Sequence, residues 1–184
     1  MDKKFVRNIL KEKKFDKKVT IISDNKEKLD IFFDNTIIYK AFVAKIFMDT
    51  MEIDVDRDLV VTGMMLCGCK KINNSQDISK LKIYAKESAD HLREIGFPEE
   101  FCVMCEHHNR YGDETERKKE SDILEIVDQF AGMLLDRPER VAFPIEEALI
   151  LLETRNLKKC NNIYLEEFKK FITIAKEIKY DRFL

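Results

Sequence analysis

An all-helical fold is predicted for this 184-residue chain, and three observations carry the prediction. Only 3 Pro and 5 Gly interrupt it, too few for the many tight turns of a sandwich or barrel. Apolar residues recur three and four apart through most of the length, whereas no run alternates convincingly with period two. Hydrophobic residues make up 45% and charged residues 37%, enough to build one core and to exclude a disordered chain. The expectation is a compact bundle of about eight helices with no sheet.

Each element has its own justification. Asp2 to Phe15 carries Phe5, Ile9 and Leu10 at helical spacing on a Lys-rich background. Its first 18 residues hold 8 basic groups against 3 acids, so residues 1–22 read as a basic amphipathic segment ahead of a domain at 23–184. Lys18 to Ile22 is the one weak strand candidate. Ser23 or Asp24 can cap a long helix whose face is Leu29, Phe32, Phe33, Ile37 and Ile38, continuing through Phe42, Val43, Ile46 and Phe47.

Asp56 can cap a third helix through Leu59, Val60, Met64 and Leu66. Asp77 starts a fourth, which Gly96 stops as a left-handed C-terminal cap. Pro98 suits the first turn of a helix over Glu99 to Asn109. Ser121 to Asp136 faces Ile123, Leu124, Val127, Phe130, Met133 and Leu134 inward, and Pro144 opens Ile145 to Arg155. Asn161 or Asn162 caps the last helix, with Leu165, Phe168, Phe171, Ile172 and Ala175 as its stripe. Gly63, Gly68 and Gly132 fall inside helical patterns, where close helix crossing explains them. The charged gap from Gly112 to Glu120 is the expected mobile loop.

Charge and cysteine usage narrow the class. A net charge of −2 and a pI near 6.0 leave no global footprint for DNA. Met1 is followed by charged residues and no stretch approaches a membrane span, so neither a leader nor a transmembrane segment is expected. Five Cys, an odd number, fit reduced thiols in a cytoplasmic protein.

Chemistry-bearing residues are few. Of three His, His107 and His108 are adjacent near the end of one helix, about 100° apart around its axis. Twenty residues past His108, Asp128 stands on the apolar face of the next helix among Leu124, Val127 and Phe130. A carboxylate there needs a partner, so an inward His and Asp make either a metal site or a hydrogen-bonded core pair. Cys67 and Cys69 with Cys102 and Cys105 resemble zinc spacing, although Cys102 and Cys105, one helical turn apart, also suit small core residues. Lys70 and Lys71 could hold a phosphate or stand in solvent.

A resemblance adds to this. Ile123-Leu124-Glu125-Ile126-Val127-Asp128-Gln129-Phe130, followed by Asp136-Arg137-Pro138 and Pro144-Ile145-Glu146-Glu147-Ala148-Leu149, resembles the C-terminal half of an HD-GYP domain, a branch of the HD-domain metal phosphohydrolases. His107-His108-Asn109-Arg110-Tyr111 is similar to its His-His-Glu signature, and Met65-Leu66-Cys67-Gly68-Cys69-Lys70-Lys71 to its Leu-Leu-His-Asp-Ile-Gly-Lys segment. The resemblance covers about residues 30 to 175. It implies a compact HD-domain-like bundle of about eight helices, one or two divalent metals, and hydrolysis of phosphate esters such as cyclic di-GMP.

The departures from that pattern fall on the ligands. Tyr39 stands for the first family His, Cys67-Gly68 for the His-Asp doublet, Tyr84 for the next His, and Asn109 for the Glu of the second signature. The Gly-Tyr-Pro loop is missing, while His107, His108, Asp128 and Lys71 remain. Two divalent ions need bridging carboxylates, and phenols with pKa near 10 replace imidazoles poorly. The chain is therefore expected to be a degenerate, non-catalytic domain with no metal or other cofactor and a vestigial cleft of Tyr39, Cys67, Gly68, Lys71, Tyr84, His107, His108 and Asp128. It would serve bacterial-type nucleotide signalling as a regulatory, scaffolding or nucleotide-sensing module, bound to a protein partner or to a nucleotide and able to form a homodimer. Lys71, Arg110 and Arg137 are the candidate phosphate-binding residues, with His107 beside them. The alternative is a metal-dependent phosphohydrolase with one divalent ion such as zinc on Cys67, His108 and Asp128.

Overall fold

A computed structural model of the chain describes residues 18–22, 28–32, 35–71, 78–109, 111, 117–135, 141–156 and 161–177. The architecture is dominated by helices. A hairpin of β1 (Lys18–Ile22) and β2 (Lys28–Phe32) precedes α1 (Asn35–Thr50), α2 (Arg57–Leu66), α3 (Ile78–Glu94) and α4 (Glu99–Glu106). Then come α5 (Lys119–Met133), α6 (Ile145–Asn156) and α7 (Leu165–Glu177). Seven helices are thus present among the described residues. The expected helix over Asp2 to Phe15 lies outside them, as do Phe33 and residues 112–116 of the charged gap.

The hairpin corrects two expectations: that there is no sheet, and that a helix begins at Ser23 or Asp24. Leu29 and Phe32 belong to β2, and α1 starts only at Asn35. The antiparallel register sets Val19 opposite Ile31 and Ile21 opposite Leu29. Val, Ile, Thr and Phe dominate both strands, and such residues favour pleated backbone. Cross-strand pairing of those residues outweighs the 29, 32, 33 spacing that reads as helical.

Elsewhere the punctuation works as the sequence suggests. Asp56 is the N-cap of α2, its side chain accepting the Leu59 amide at 2.9 Å. Gly96 has φ 90°, a left-handed value that favours glycine, and Phe97 N–H reaches back to the Leu92 carbonyl at 3.0 Å. Pro98 sits at the N-cap of α4, one position earlier than a first-turn proline. Helix α4 stops at Glu106, with His107 as C-cap, so His107 to Asn109 lie past its end. Asn162 stands ahead of α7 rather than at its N-cap. Its Oδ1 accepts the Tyr164 amide at 3.1 Å, and its carbonyl accepts the Leu165 amide at 3.3 Å.

Helix α5 is the axis of the core. Residues 121–127 and 130–133 are all buried, the pattern of a helix surrounded on every side. It packs against α1, α2, α4 and α6, while α3 pairs with α4. Gly63 allows α2 to come this close. A Cβ there would lie 2.5 Å from Met104 Cε and 3.1 Å from Leu124 Cδ1. Gly68, by contrast, follows the end of α2 and meets only Lys71 at ordinary distance. Helix α7 is fastened by aromatic edges: Phe168 meets Phe47 at 5.0 Å and Phe130 at 5.1 Å between ring centroids. Such pairs add about 0.5–1.5 kcal/mol beyond area burial. Among the described residues no helix is long and apolar enough to cross a membrane.

Candidate functional site

Three helices, α1, α3 and α5, and the turns after α2 and α4 bring these charged and polar side chains together. Asp128 projects from α5 and is 18% exposed. One carboxylate oxygen, Oδ1, accepts from Lys40 Nζ of α1 at 2.6 Å. The other, Oδ2, accepts from Lys71 Nζ at 3.1 Å. Lys71 ends the turn after α2, which is tied to α3 because Lys70 N–H donates to Ser88 Oγ at 3.1 Å. Ser88 Oγ in turn donates to the Tyr84 carbonyl at 2.7 Å. That tie places the Lys71 ammonium 4.8 Å from the centroid of the Tyr84 ring, within cation–π range.

Tyr84 also fixes His108. The Nδ1 of His108 faces the Cys105 carbonyl, which can only accept, so Nδ1 carries the proton. Nε2 is then the acceptor, and the Tyr84 hydroxyl donates to it at 3.0 Å. Burial disfavours the imidazolium and pushes the His108 pKa down to about 4, although Asp128 pulls the other way. The ring is neutral at physiological pH.

Opposing effects set Asp128. Burial raises its pKa, but Lys40, then Lys71 and His108, overcome this and hold the carboxyl well below its ordinary range. Burial lowers the Lys71 pKa, opposed by Asp128 and reinforced by Lys40. Cys67, the C-cap of α2, has its thiol pushed up by burial first and by Asp128 second. Cys105 is raised by burial as well, and Cys102 is pushed up to about 11. Burial thus favours the protonated form of these thiols, which makes them poor nucleophiles. Cys67, Cys69, Cys102 and Cys105 are free.

The structure thus gathers Lys71, Tyr84, His108 and Asp128, with Cys67 close by. Tyr39 is half-buried, its phenol raised by desolvation; its neighbour Lys40 is the α1 residue that reaches Asp128. Asn109 ties α4 to α3, donating from Nδ2 to the Leu81 and Lys82 carbonyls at 3.0 Å each. Arg110 and Arg137 lie outside the described residues. Among the described residues no three His, Cys, Asp or Glu side chains are grouped to hold one ion.

Sequence reading missed Lys40. The signal was present: Lys40 is the lone charge in Ile37-Ile38-Tyr39-Lys40-Ala41-Phe42-Val43-Ala44, as Asp128 is in Ile126-Val127-Asp128-Gln129-Phe130-Ala131-Gly132-Met133. Two isolated opposite charges on inward helix faces are natural partners. Arg117 was missed too; its Nη2 lies 2.6 Å from Asp122 Oδ1 and 2.5 Å from Glu125 Oε2.

No family model matches this chain, and neither the curated proteins nor the solved structures yield a match.

Proposed function

We propose that this chain is a degenerate HD-type domain that does not hydrolyse phosphate esters and acts by binding, as a regulatory, scaffolding or nucleotide-sensing module. One observation carries the reading: both oxygens of Asp128 are bridged by lysine ammoniums. An ion ligated by Asp128 would lie roughly 4 Å from each ammonium. At an effective dielectric of about 20, two unit charges at 4 Å interact by about 4 kcal/mol, and a divalent ion doubles this. Two lysines therefore oppose a divalent ion by about as much as one ligating carboxylate attracts it, and they compete with it for the same two oxygens. His108 supports the same reading, because its Nε2 lone pair already accepts from Tyr84.

The test combines turnover with ligand binding. The full chain is assayed with added manganese, iron or zinc against cyclic di-GMP and simple phosphodiesters, with no hydrolysis expected. Turnover that requires metal and disappears in Asp128→Ala would establish the rebuilt Cys67, His108 and Asp128 site instead. Thermal melting with cyclic dinucleotides and common nucleotides separates the binding roles. A ligand of the folded state must raise the melting temperature, whereas a flat response at about millimolar ligand points to a protein partner.

A further inference from the structure

We propose that residues 2–15 dock as a helix along the apolar face of the β1–β2 hairpin and complete it as a small helix-on-sheet layer ahead of α1. The hairpin has two unlike faces. Its antiparallel register sets Val19 opposite Ile31 and Ile21 opposite Leu29. Successive positions along a strand alternate between faces, so these four share one face, and it is wholly apolar. The other face pairs Lys18 with Phe32, Thr20 with Asp30 and Ile22 with Lys28, a mixed set suited to water.

Among the described residues the two strands make a sheet of their own, and no helix packs closely on either. A lone hairpin is marginal in water and becomes stable by gaining further strands or a covering helix. The sequence ahead of β1 has the pattern of such a cover. On a helix, Phe5, Val6, Ile9 and Leu10 fall on one side and Lys4, Arg7, Lys11 and Lys14 on the other.

Length and tethering fit as well. Only Asp16 and Lys17 separate this segment from β1, within the roughly two to six residues that usually join a helix to a strand. The helix therefore turns back along the strand it feeds. Its 14 residues span about 21 Å, enough to run the length of a five-residue strand of about 17 Å. So short a link holds the segment at an effective concentration of about millimolar. That favours it over a second copy of the chain, which must be captured from solution.

Nuclear Overhauser spectroscopy on the methyl-labelled full chain tests this. The Ile9 and Leu10 methyls should contact the methyls of Val19, Ile21, Leu29 and Ile31. None of these contacts should survive in an isotope-filtered spectrum of mixed labelled and unlabelled chains. Missing contacts, or contacts only between chains, would overturn the proposal, the latter by making a second copy the occupant. Amide hydrogen exchange gives an independent reading. Leu10→Asp should lower protection of the β1 and β2 amides about tenfold or more, with Val127 in α5 unchanged. Lys11→Gln, on the opposite side of the helix, should leave all of them as they are. Hairpin amides that exchange like a free peptide in the unaltered chain, undiminished protection in Leu10→Asp, or equal loosening in both variants refutes the docking.

Discussion

Replacing Asp128 by Asn should destabilise the protein far more than replacing Lys40 by Met, although both break the same contact. Asn keeps the shape of the carboxyl but leaves the Lys40 and Lys71 ammoniums, 10% and 23% exposed, facing each other without a counter-charge. Removing one partner of a buried ion pair costs about 3–5 kcal/mol, and the residual exposure here favours the lower end, about 3 kcal/mol. For a chain of this length that is roughly 6–12 °C in melting temperature. Lys40→Met acts differently. It deletes the extra positive charge, leaves Lys71 and Asp128 as a one-to-one pair, and fills the path of the lysine stem with another flexible chain. Its effect should stay within about 1 kcal/mol.

Urea unfolding of both variants and of the double variant measures this, and the cycle isolates the coupling. Acid adds a second check. Because the folded pKa of Asp128 is depressed, its stabilisation is present above the ordinary carboxylate range and is lost as pH falls through the folded value. The stability gap between the native protein and Asp128→Asn should therefore narrow in strong acid. Equal damage from Asp128→Asn and Lys40→Met, or less than about 1 kcal/mol from the former, refutes the view that one carboxylate balances two ammoniums.

Three further outcomes follow from the packing. Tyr84→Phe strips the donor from His108 Nε2 and leaves a buried acceptor unsatisfied, at about 1–3 kcal/mol by denaturant melting. Gly63→Ala gains about 1 kcal/mol of helix propensity but drives a Cβ against Met104 and Leu124. Overpacking of about 1–3 kcal/mol should outweigh that gain, so the variant melts lower. Phe168→Ala empties the meeting point of Phe47, Phe130 and Phe171, and the expected loss is about 3–5 kcal/mol. Exchange protection in α7 should fall before that in α5 in this variant.

Much of the helical frame is legible in the sequence because its signals are local. Apolar spacing places α5 and α7, Asp56 caps α2, and Gly96 ends the turn after α3 through its positive φ. Of the hairpin, β1 coincides with the weak strand candidate Lys18 to Ile22, whereas β2 escapes because Leu29, Phe32 and Phe33 fit helical spacing as well as strand, and the strand pairing that decides the matter is non-local. At the site, Asp128 and His108 stand out as polar groups on apolar helices. Lys40 is the lone charge in its run, yet spacing along α1 alone leaves open whether a single lysine turns into the bundle or lies along its surface. The Arg117 cluster is harder still: it depends on where the chain ahead of α5 meets residues 162–163, a contact between distant segments.

Elemental analysis of the full chain, purified without chelator and exposed to manganese, iron and zinc, tests the exchange of ions for lysines most directly. The account predicts far less than one equivalent of any of these metals per chain, unchanged in Asp128→Asn. One or two tightly held equivalents that vanish in that variant would contradict it.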